Sequence, residues 1–395
     1  AEALGERWRR AEVALRWSAH CEAISDYPTA VDTARRALAL AEDDPARQAA
    51  ARRYWGTALW RQGDYAGAQM QFETALALAR TIKDYQIERE ILSGLGVVAY
   101  DQGHLSAAIT FHEHALARAR AISHRPGEAK ALNNLGSIAV DLGDYLTART
   151  YYEQSLAISR LLGDQQHEAM VLANLGGIAY EHGDYRSARA LYTQVLSTLR
   201  IIEDQQGQAT ALSNSGMIAY AQGLLPEAKE FLEQALVIAQ MIGGGMVEIW
   251  ARINLGYVLT DMHMGDQSVA MCQEAITRCH ALGHPGLLAE CRAGLAYALQ
   301  IQGNLPAALS SVERVLDYLG TGTLDGVESP MRAYLSCCTV LRAADDDRVG
   351  QLLERAYTEL MAQAAQMSDA DQRMFLEQVP WNRAIMALWA EQVSR

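Results

Sequence analysis

The sequence predicts an all-α protein built from stacked helical hairpins. The segment "NNLGSIAVDLGDY" at residues 133–145 recurs in related form from residues 93, 173, 213 and 253, at a constant step of 40 residues. A fixed step of this length is typical of a repeat array. Half of the 395 residues are hydrophobic, whereas only 7% are aromatic. This composition favours helices packed through small residues over sheets.

Each repeat is predicted to contain two amphipathic helices, which we call A and B. In the unit from Gly127 to Leu162, apolar residues follow the i, i+3, i+4, i+7 spacing on both sides of an "LGDY" break. Gly143 suits the left-handed conformation that ends helix A, and Gly163 ends helix B in the same way. We therefore expect consecutive helical hairpins.

Small residues recur at fixed positions of both helices. Gly occupies one position of helix A in successive repeats, and Ala occupies one position of helix B. The helix A positions are Gly56, Gly96, Gly136, Gly176, Gly216 and Gly256, and the helix B positions are Ala68, Ala108, Ala148, Ala188, Ala228 and Ala308. Small residues facing each other would let the two helices approach closely.

This spacing, with large residues such as Phe72, Tyr152 and Tyr192 on helix B, resembles the tetratricopeptide repeat. The 40-residue period is similar to the long variant found in kinesin light chain and in the sensor regions of bacterial STAND-type signal-transducing NTPases. The resemblance covers about residues 46–320. It implies a right-handed superhelical solenoid of about eight to nine antiparallel helix pairs, with the A helices on the inner wall.

We predict a repeat array over residues 1–320, followed by a degenerate repeat and C-terminal capping helices over residues 321–395. The segment "GTGTLDGVESP" breaks the 40-residue register. Helices are expected at Met331–Ala343 and Arg348–Met367, and a tail from Asp371 would cover the open end of the array. Because the chain starts without Met, we expect that it is excised from a longer polypeptide.

Several functional classes are disfavoured. A net charge of −13 argues against nucleic acid and anionic membranes as partners. The sequence has no apolar run that would span a bilayer and no secretion signal, so we expect a cytoplasmic protein. It lacks a P-loop, G-x-S-x-G, H-E-x-x-H and an EF-hand loop, so we predict no enzymatic activity, no cofactor and no metal site.

Cysteine and histidine residues are predicted to be structural. The six cysteines have no framework spacing and are interpreted as reduced core thiols. A metal cluster of Cys272, Cys279 and neighbouring residues is disfavoured, because two helical turns separate these two thiols by about 10 Å. His112 and His114 are expected at ordinary surface positions.

A polar stripe on helix A is the candidate binding surface. Positions four, seven and eleven residues after Lys130, and their equivalents in other repeats, lie on one side of the helix. By the family resemblance, this side faces a groove. The predicted peptide-binding residues are Asn134, Asn174, Asn214, Asn254, Ser137, Tyr257, Trp250, Asp101, Asp141, Glu181 and Asp261.

Two interpretations of this stripe stay open. The four asparagines, which both donate and accept hydrogen bonds, would bind the backbone of an extended peptide, or they bond within the protein. The acidic row of the stripe, which consists of Asp101, Asp141, Glu181 and Asp261, would favour a partner that bears Arg or Lys, or it serves solubility. The aromatic residues would act as anchors or pack between repeats.

The predicted function is a non-catalytic scaffold that binds a protein or peptide segment. More specifically, the chain would be the ligand-sensing portion of a larger bacterial signalling or regulatory protein. The alternative is a small-molecule receptor or enzyme that uses the groove as its pocket. Self-association through an exposed apolar end or tail is also left open.

Overall fold

A computed structural model describes residues 2–42, 44–320 and 327–394, and every regular element in these ranges is an α-helix. The twenty helices of the described residues are α1 (Glu2–Ala23), α2 (Tyr27–Leu40), α3 (Pro45–Arg61), α4 (Tyr65–Ile82), α5 (Tyr85–Asp101), α6 (Leu105–Ala121), α7 (Arg125–Asp141), α8 (Tyr145–Leu162), α9 (Gln165–Glu181), α10 (Tyr185–Ile201), α11 (Gln205–Ala221), α12 (Leu225–Met241), α13 (Met246–Asp261), α14 (Gly265–Leu282), α15 (Pro285–Ile301), α16 (Leu305–Leu319), α17 (Pro330–Ala343), α18 (Arg348–Ala364), α19 (Asp369–Gln378) and α20 (Pro380–Val393). The predicted all-α class is confirmed. None of the helices in these ranges is long and apolar enough to cross a membrane.

The chain divides into two compact units, residues 1–164 and residues 165–395. In the first unit, α1–α8 pack as four consecutive hairpins, and α3 also contacts α1 and α5. In the second unit, α9–α18 pack as five hairpins, and α13 and α15 contact each other and the A helices on either side. The described helices therefore give the eight to nine repeats expected from the sequence.

Residues in the left-handed conformation close the turns between helices. Gly143 has a φ angle of 75° and Gly163 has a φ angle of 67°, as their positions predicted. His263 takes the same turn position in one repeat, with a φ angle of 58°. A residue with a Cβ atom adopts this conformation at a cost of roughly 1–2 kcal/mol. The next helix begins with a cap: the Asp144 carboxylate accepts a hydrogen bond from the Thr147 backbone N–H at 3.1 Å.

The A-helix glycines make room for large side chains of the B helices. A methyl group at Gly136 would lie 2.6 Å from the Tyr152 ring, and one at Gly176 would lie 2.8 Å from the Tyr192 ring. Both tyrosines are buried. The expectation that small residues of the two helices face each other is therefore incomplete. The glycine is needed because a ring packs against the helix backbone.

The prediction that His112 occupies a surface position is wrong. His112 is 1% exposed rather than a surface residue. It occupies the same repeat position as Tyr152, and its ring lies over Gly96. Burial lowers the pKa of His112 to about 4, so the ring is neutral at physiological pH. His114 is exposed, as predicted.

The cysteines lie in the core. All six are free and buried, which confirms the prediction of core thiols. The Sγ atoms of Cys279 and Cys291 lie 3.4 Å apart on neighbouring helices. Within the described ranges, no group of three or more His, Cys, Asp or Glu side chains is arranged to hold a metal ion.

The C-terminal helices pack on several parts of the second unit. α17 contacts α15 and α16, and α20 contacts α17 and α18. The tail also reaches the α9–α10 turn, where His182 Nδ1 lies 3.4 Å from Asp371 Oδ1 and Gly183 lies close to Gln378. The tail therefore contacts the first hairpin of its unit as well as the last. Most of the predicted linker, residues 321–326, lies outside the described residues, and the boundary at residue 320 stays a prediction.

Candidate functional site

A pocket of about 330 Å³ opens among the A helices of the second unit. α9, α11, α13 and α15 contribute to its walls, together with residues at the start of α17. The 40-residue step places equivalent A-helix positions in one neighbourhood, so side chains distant in sequence converge. The residues that matter most here are Glu181, Asn214, Trp250, Asn254, Glu290 and Arg332.

Three carboxylates and one guanidinium give the pocket a net negative charge. Arg332 Nη2 donates a hydrogen bond to Glu290 Oε1 at 2.8 Å, and both side chains are buried. Glu290 Oε2 accepts a second bond from the Glu328 backbone N–H at 3.1 Å. Glu181 and Glu328 themselves stay on the open side of the pocket. Because Glu290 neutralises Arg332, no cation on the described lining balances these two carboxylates.

The surroundings raise the pKa of both outer carboxyl groups. The protein around Glu181 removes part of its hydration, and Glu328 repels its charge, so the pKa of Glu181 rises to about 7. Partial loss of hydration raises the pKa of Glu328 as well, and the nearby Glu290 adds repulsion. Both effects disfavour the charged form of the carboxyl group. A cation placed between Glu181 and Glu328 would relieve the repulsion.

Two ring donors at the pocket have no acceptor in the described part of the chain, namely Tyr180 Oη and Trp250 Nε1. Comparison with the next repeat explains why Tyr180 Oη has no acceptor. Tyr220 Oη donates at 2.8 Å to Asp261, which lies 41 residues later, but the residue 41 positions after Tyr180 is Ala221. A buried donor without a partner is costly. A ligand carbonyl oxygen at these donors would satisfy them.

The predicted acidic row mostly links neighbouring repeats. Three of its four members accept a hydrogen bond from an aromatic side chain 41 residues earlier. These pairs are Trp60 with Asp101, Tyr100 with Asp141, and Tyr220 with Asp261. Their carboxylates are already bonded within each unit. Glu181 differs because it faces the pocket.

The four predicted asparagines have different surroundings. Asn214 Nδ2 donates to Tyr192 Oη at 2.9 Å, and Asn254 Oδ1 accepts from Arg332 Nη2 at 2.9 Å. Both line the pocket. Asn174 is half-buried on α9 and is not part of the described lining, and Asn134 is half-buried on α7 of the first unit. The pocket therefore brings together two of the four.

The structure also shows the surroundings of Trp250, Tyr257 and Ser137. Trp250 lines the pocket. Tyr257 is 2% exposed, lies under the Arg332 guanidinium at 4.3 Å from its ring centroid, and lines a second cavity. Ser137, in the first unit, bonds the Tyr152 hydroxyl at 3.1 Å. These positions show that the stripe contributes to several local structures.

Sequence reasoning missed Glu290, Glu328 and Arg332. Glu290 lies 40 residues after Trp250, so extending the stripe by one repeat would have found it. Glu328 and Arg332 follow the break in register and have no periodic signal. Their place at the pocket depends on how α17 packs against α15.

These features define a helical repeat protein whose A-helix side chains form a pocket. Tetratricopeptide repeat models match residues 47–121, 127–201 and 173–240. This part of the chain belongs to the tetratricopeptide repeat family, which confirms the resemblance seen in the sequence. Among curated proteins, none has a sequence that matches this chain.

Solved structures share the fold. A Rap protein complexed with Competence and Sporulation Factor is 15% identical, with a TM-score of 0.58 over 97% of this chain and 99% of that one. The apo quorum sensor NprR from B. thuringiensis is 14% identical, with a TM-score of 0.60 over 78% and 87%. A STAND protein with a tetratricopeptide repeat sensor from Pyrococcus horikoshii is 14% identical, with a TM-score of 0.57 over 88% and 54%. At these identities, the likeness concerns the fold alone.

Proposed function

We propose that this chain is a non-catalytic receptor for a protein or peptide segment, and that the pocket of the second unit binds a basic group of that partner. The observation that carries the proposal is the pair Glu181 and Glu328. Both carboxylates face an open pocket, and the only guanidinium on its described lining is neutralised by Glu290. A Lys or Arg side chain would supply the missing charge and donate hydrogen bonds to carboxylate oxygens.

The neutral groups of the pocket support an extended peptide as the carrier of this cation. Tyr180 Oη and Trp250 Nε1 are buried donors without an acceptor in the described part of the chain, and a small side-chain movement would bring them to backbone carbonyl oxygens of a peptide. Asn214 donates to Tyr192 through its nitrogen, and its oxygen would be the atom that accepts from a peptide N–H. The rings of Trp250 and Tyr180 would also attract a cation through their faces.

Proteins of the same fold support a binding role by analogy. One Rap protein holds Competence and Sporulation Factor, and NprR is a quorum sensor. The tetratricopeptide repeats of the STAND protein form its sensor. We therefore propose that this chain senses a ligand within a larger bacterial signalling or regulatory protein in the cytoplasm. The other predicted groove residues, Asn134, Asn174, Ser137, Asp101, Asp141 and Asp261, stay predicted contact residues.

The test is selection from a library of short, end-capped peptides immobilised on beads, with the full chain as the soluble receptor. We expect retained peptides to be enriched in Arg or Lys at one position. Glu181→Gln should weaken this preference clearly, because it leaves Glu328 as the single uncompensated carboxylate at the pocket. Glu230→Gln is the matched control, since Glu230 is an exposed acid on α12 outside the described pocket lining.

The peptide selection has outcomes that support the proposal and outcomes that overturn it. Clearly stronger enrichment of basic residues by the wild type and by Glu230→Gln than by Glu181→Gln supports the proposal. Failure to retain any peptide, or an unchanged basic preference in a correctly folded Glu181→Gln chain, overturns it. Circular dichroism establishes folding for each variant.

A further inference from the structure

The second unit contains another cavity, of about 450 Å³, beside the first pocket. α11, α13, α15 and α17 contribute to its walls, together with the start of α20. Aromatic and aliphatic side chains dominate the lining, and those used below are Tyr220, Tyr257, Tyr297, Leu335 and Trp381. Cavities of this volume hold ligands or large ligand groups.

The tyrosine hydroxyls around this cavity are already bonded within the protein. Tyr220 Oη and Tyr297 Oη each donate to one oxygen of Asp261 at 2.8 Å. Tyr257 Oη lies 3.3 Å from Ser336 Oγ. Burial and the Asp261 carboxylate raise the pKa of Tyr220 and Tyr297, so both hydroxyls stay protonated donors. The ring surfaces are therefore what the cavity offers to a ligand.

The charged groups of this cavity are also hydrogen-bonded within the protein. Its described lining contains Asp261, which holds two tyrosine hydroxyls, and Arg332, whose charge is paired with Glu290 at 2.8 Å. The Arg332 guanidinium also lies over the Tyr257 ring, 4.3 Å from its centroid. Both oxygens of Asp261 are engaged by tyrosine hydroxyls, whereas no bonded partner of this kind among the described residues holds Glu181 and Glu328 in the first pocket. Its chemistry suits a neutral apolar group.

A thin wall separates the two cavities. Arg332 lines both of them. Trp381 of the second cavity lies 6.4 Å, between ring centroids, from Tyr180 of the first. An extended chain advances by about 3.3 Å per residue, so residues two positions apart are separated by about 6.6 Å. The shared Arg332 and the contact between Tyr180 and Trp381 place the two cavities next to each other, and a spacing of two or three residues is the shortest that a single extended peptide would need to enter both.

We propose that the second cavity binds a large apolar side chain, aromatic or aliphatic, of the same peptide whose basic residue occupies the first pocket. The proposal rests on the proposed function, because it requires a peptide in the first pocket. It defines the partner as a two-part motif, with a basic residue and an apolar residue at a fixed short spacing.

The peptide selection described above tests this motif, because the two positions are scored independently. We expect enrichment of Phe, Tyr, Trp, Leu or Met at a fixed offset of two or three residues from the basic position. A basic preference without an apolar preference at a fixed offset overturns the motif and leaves the proposed function standing. Absence of any retained peptide overturns both.

A mutant cycle on one selected peptide locates the apolar group. Replacing its apolar residue by Ala should weaken binding to the wild type by about 10- to 100-fold. Thr339→Trp places a ring in the second cavity. In this variant, replacing the apolar residue of the peptide by Ala should weaken binding by about threefold or less. Thr339→Met is a second, smaller filler that keeps the test valid if the Trp variant misfolds.

Thr358→Trp is the matched control. Thr358 and Thr339 both donate to the backbone carbonyl four residues earlier at 2.8 Å, but Thr358 is exposed on α18 outside the cavity. Thr358→Trp should leave the affinity difference between the selected peptide and its Ala variant as large as in the wild type. If this affinity difference persists undiminished in the folded Thr339→Trp chain, or in Thr339→Met where the Trp variant misfolds, the apolar residue does not bind in this cavity and the proposal is wrong.

Discussion

Separate substitution of Gly176 and Gly177 by Ala tests why helix A contains glycine. The two residues are neighbours in α9, and Ala is favoured over Gly in a helix by about 1 kcal/mol. Without tertiary contacts, both substitutions would stabilise the protein. A methyl group at Gly177 would meet no heavy atom within 4 Å, whereas one at Gly176 would lie 2.8 Å and 3.0 Å from two carbons of the Tyr192 ring. The pair therefore isolates the effect of packing.

The contacts of the two glycines determine the expected changes in the free energy of unfolding. Gly177→Ala should raise the free energy of unfolding by about 0.5–1 kcal/mol. Gly176→Ala has the same helical advantage, but it must displace a buried ring whose hydroxyl donates to the Ala173 carbonyl at 3.2 Å and accepts from Asn214. Overpacking of this kind costs about 1–3 kcal/mol. The two variants should therefore differ by about 1–3 kcal/mol, with Gly176→Ala less stable.

Urea unfolding of the full chain measures the difference. Hydrogen exchange of the α9 amides measures it locally, because repeat arrays can open in parts. In a Tyr192→Ala background the ring is gone, so Gly176→Ala should become stabilising. Equal stabilisation by Gly176→Ala and Gly177→Ala in the wild type would refute the packing explanation.

Three further predictions concern charge, turn geometry and a buried ion pair. The affinity for a basic peptide should rise about tenfold from pH 6 to pH 8, because Glu181 must ionise and its pKa is about 7. Calorimetry at both pH values checks this, and a flat profile in the wild type contradicts it. His263→Gly should raise the free energy of unfolding by about 1 kcal/mol, since it removes a Cβ from a left-handed residue, whereas Gly143→Ala should lower it by about the same amount. Urea titration measures both, and shifts of the same sign would disprove the turn argument. Arg332→Ala should lower the free energy of unfolding by about 3–5 kcal/mol, because Glu290 stays buried without its partner. An unchanged midpoint would show that the pair does not stabilise the fold.

The fold could be predicted from the sequence because its signals are local and repeated. Gly143 and Asp144 mark a helix end and a helix start within two residues, and a glycine returns at the turn position of most repeats at a step of 40 residues. His112 was placed wrongly because histidine was treated as a polar surface residue. Its repeat position, shared with Tyr152, carried the correct information.

The site could be predicted only in part, for a physical reason. Asn214 and Asn254 sit at equivalent repeat positions, so periodicity was enough to place both at one surface. Asp261 has the same periodicity, but its oxygens are bonded to tyrosine hydroxyls, which residue type alone does not reveal. Arg332 lies after the break in register, and its ion pair with Glu290 requires the packing of α17 on α15.

A crystal structure of the full chain with a selected basic peptide would show whether Glu181 and Glu328 bind the basic group of the ligand. We predict that the ligand's ammonium or guanidinium group lies within about 4 Å of the Glu181 carboxylate and faces Glu328, which is ion-pair distance. A peptide bound on the B helices, or one in the pocket whose cation points away from both carboxylates, would contradict the account.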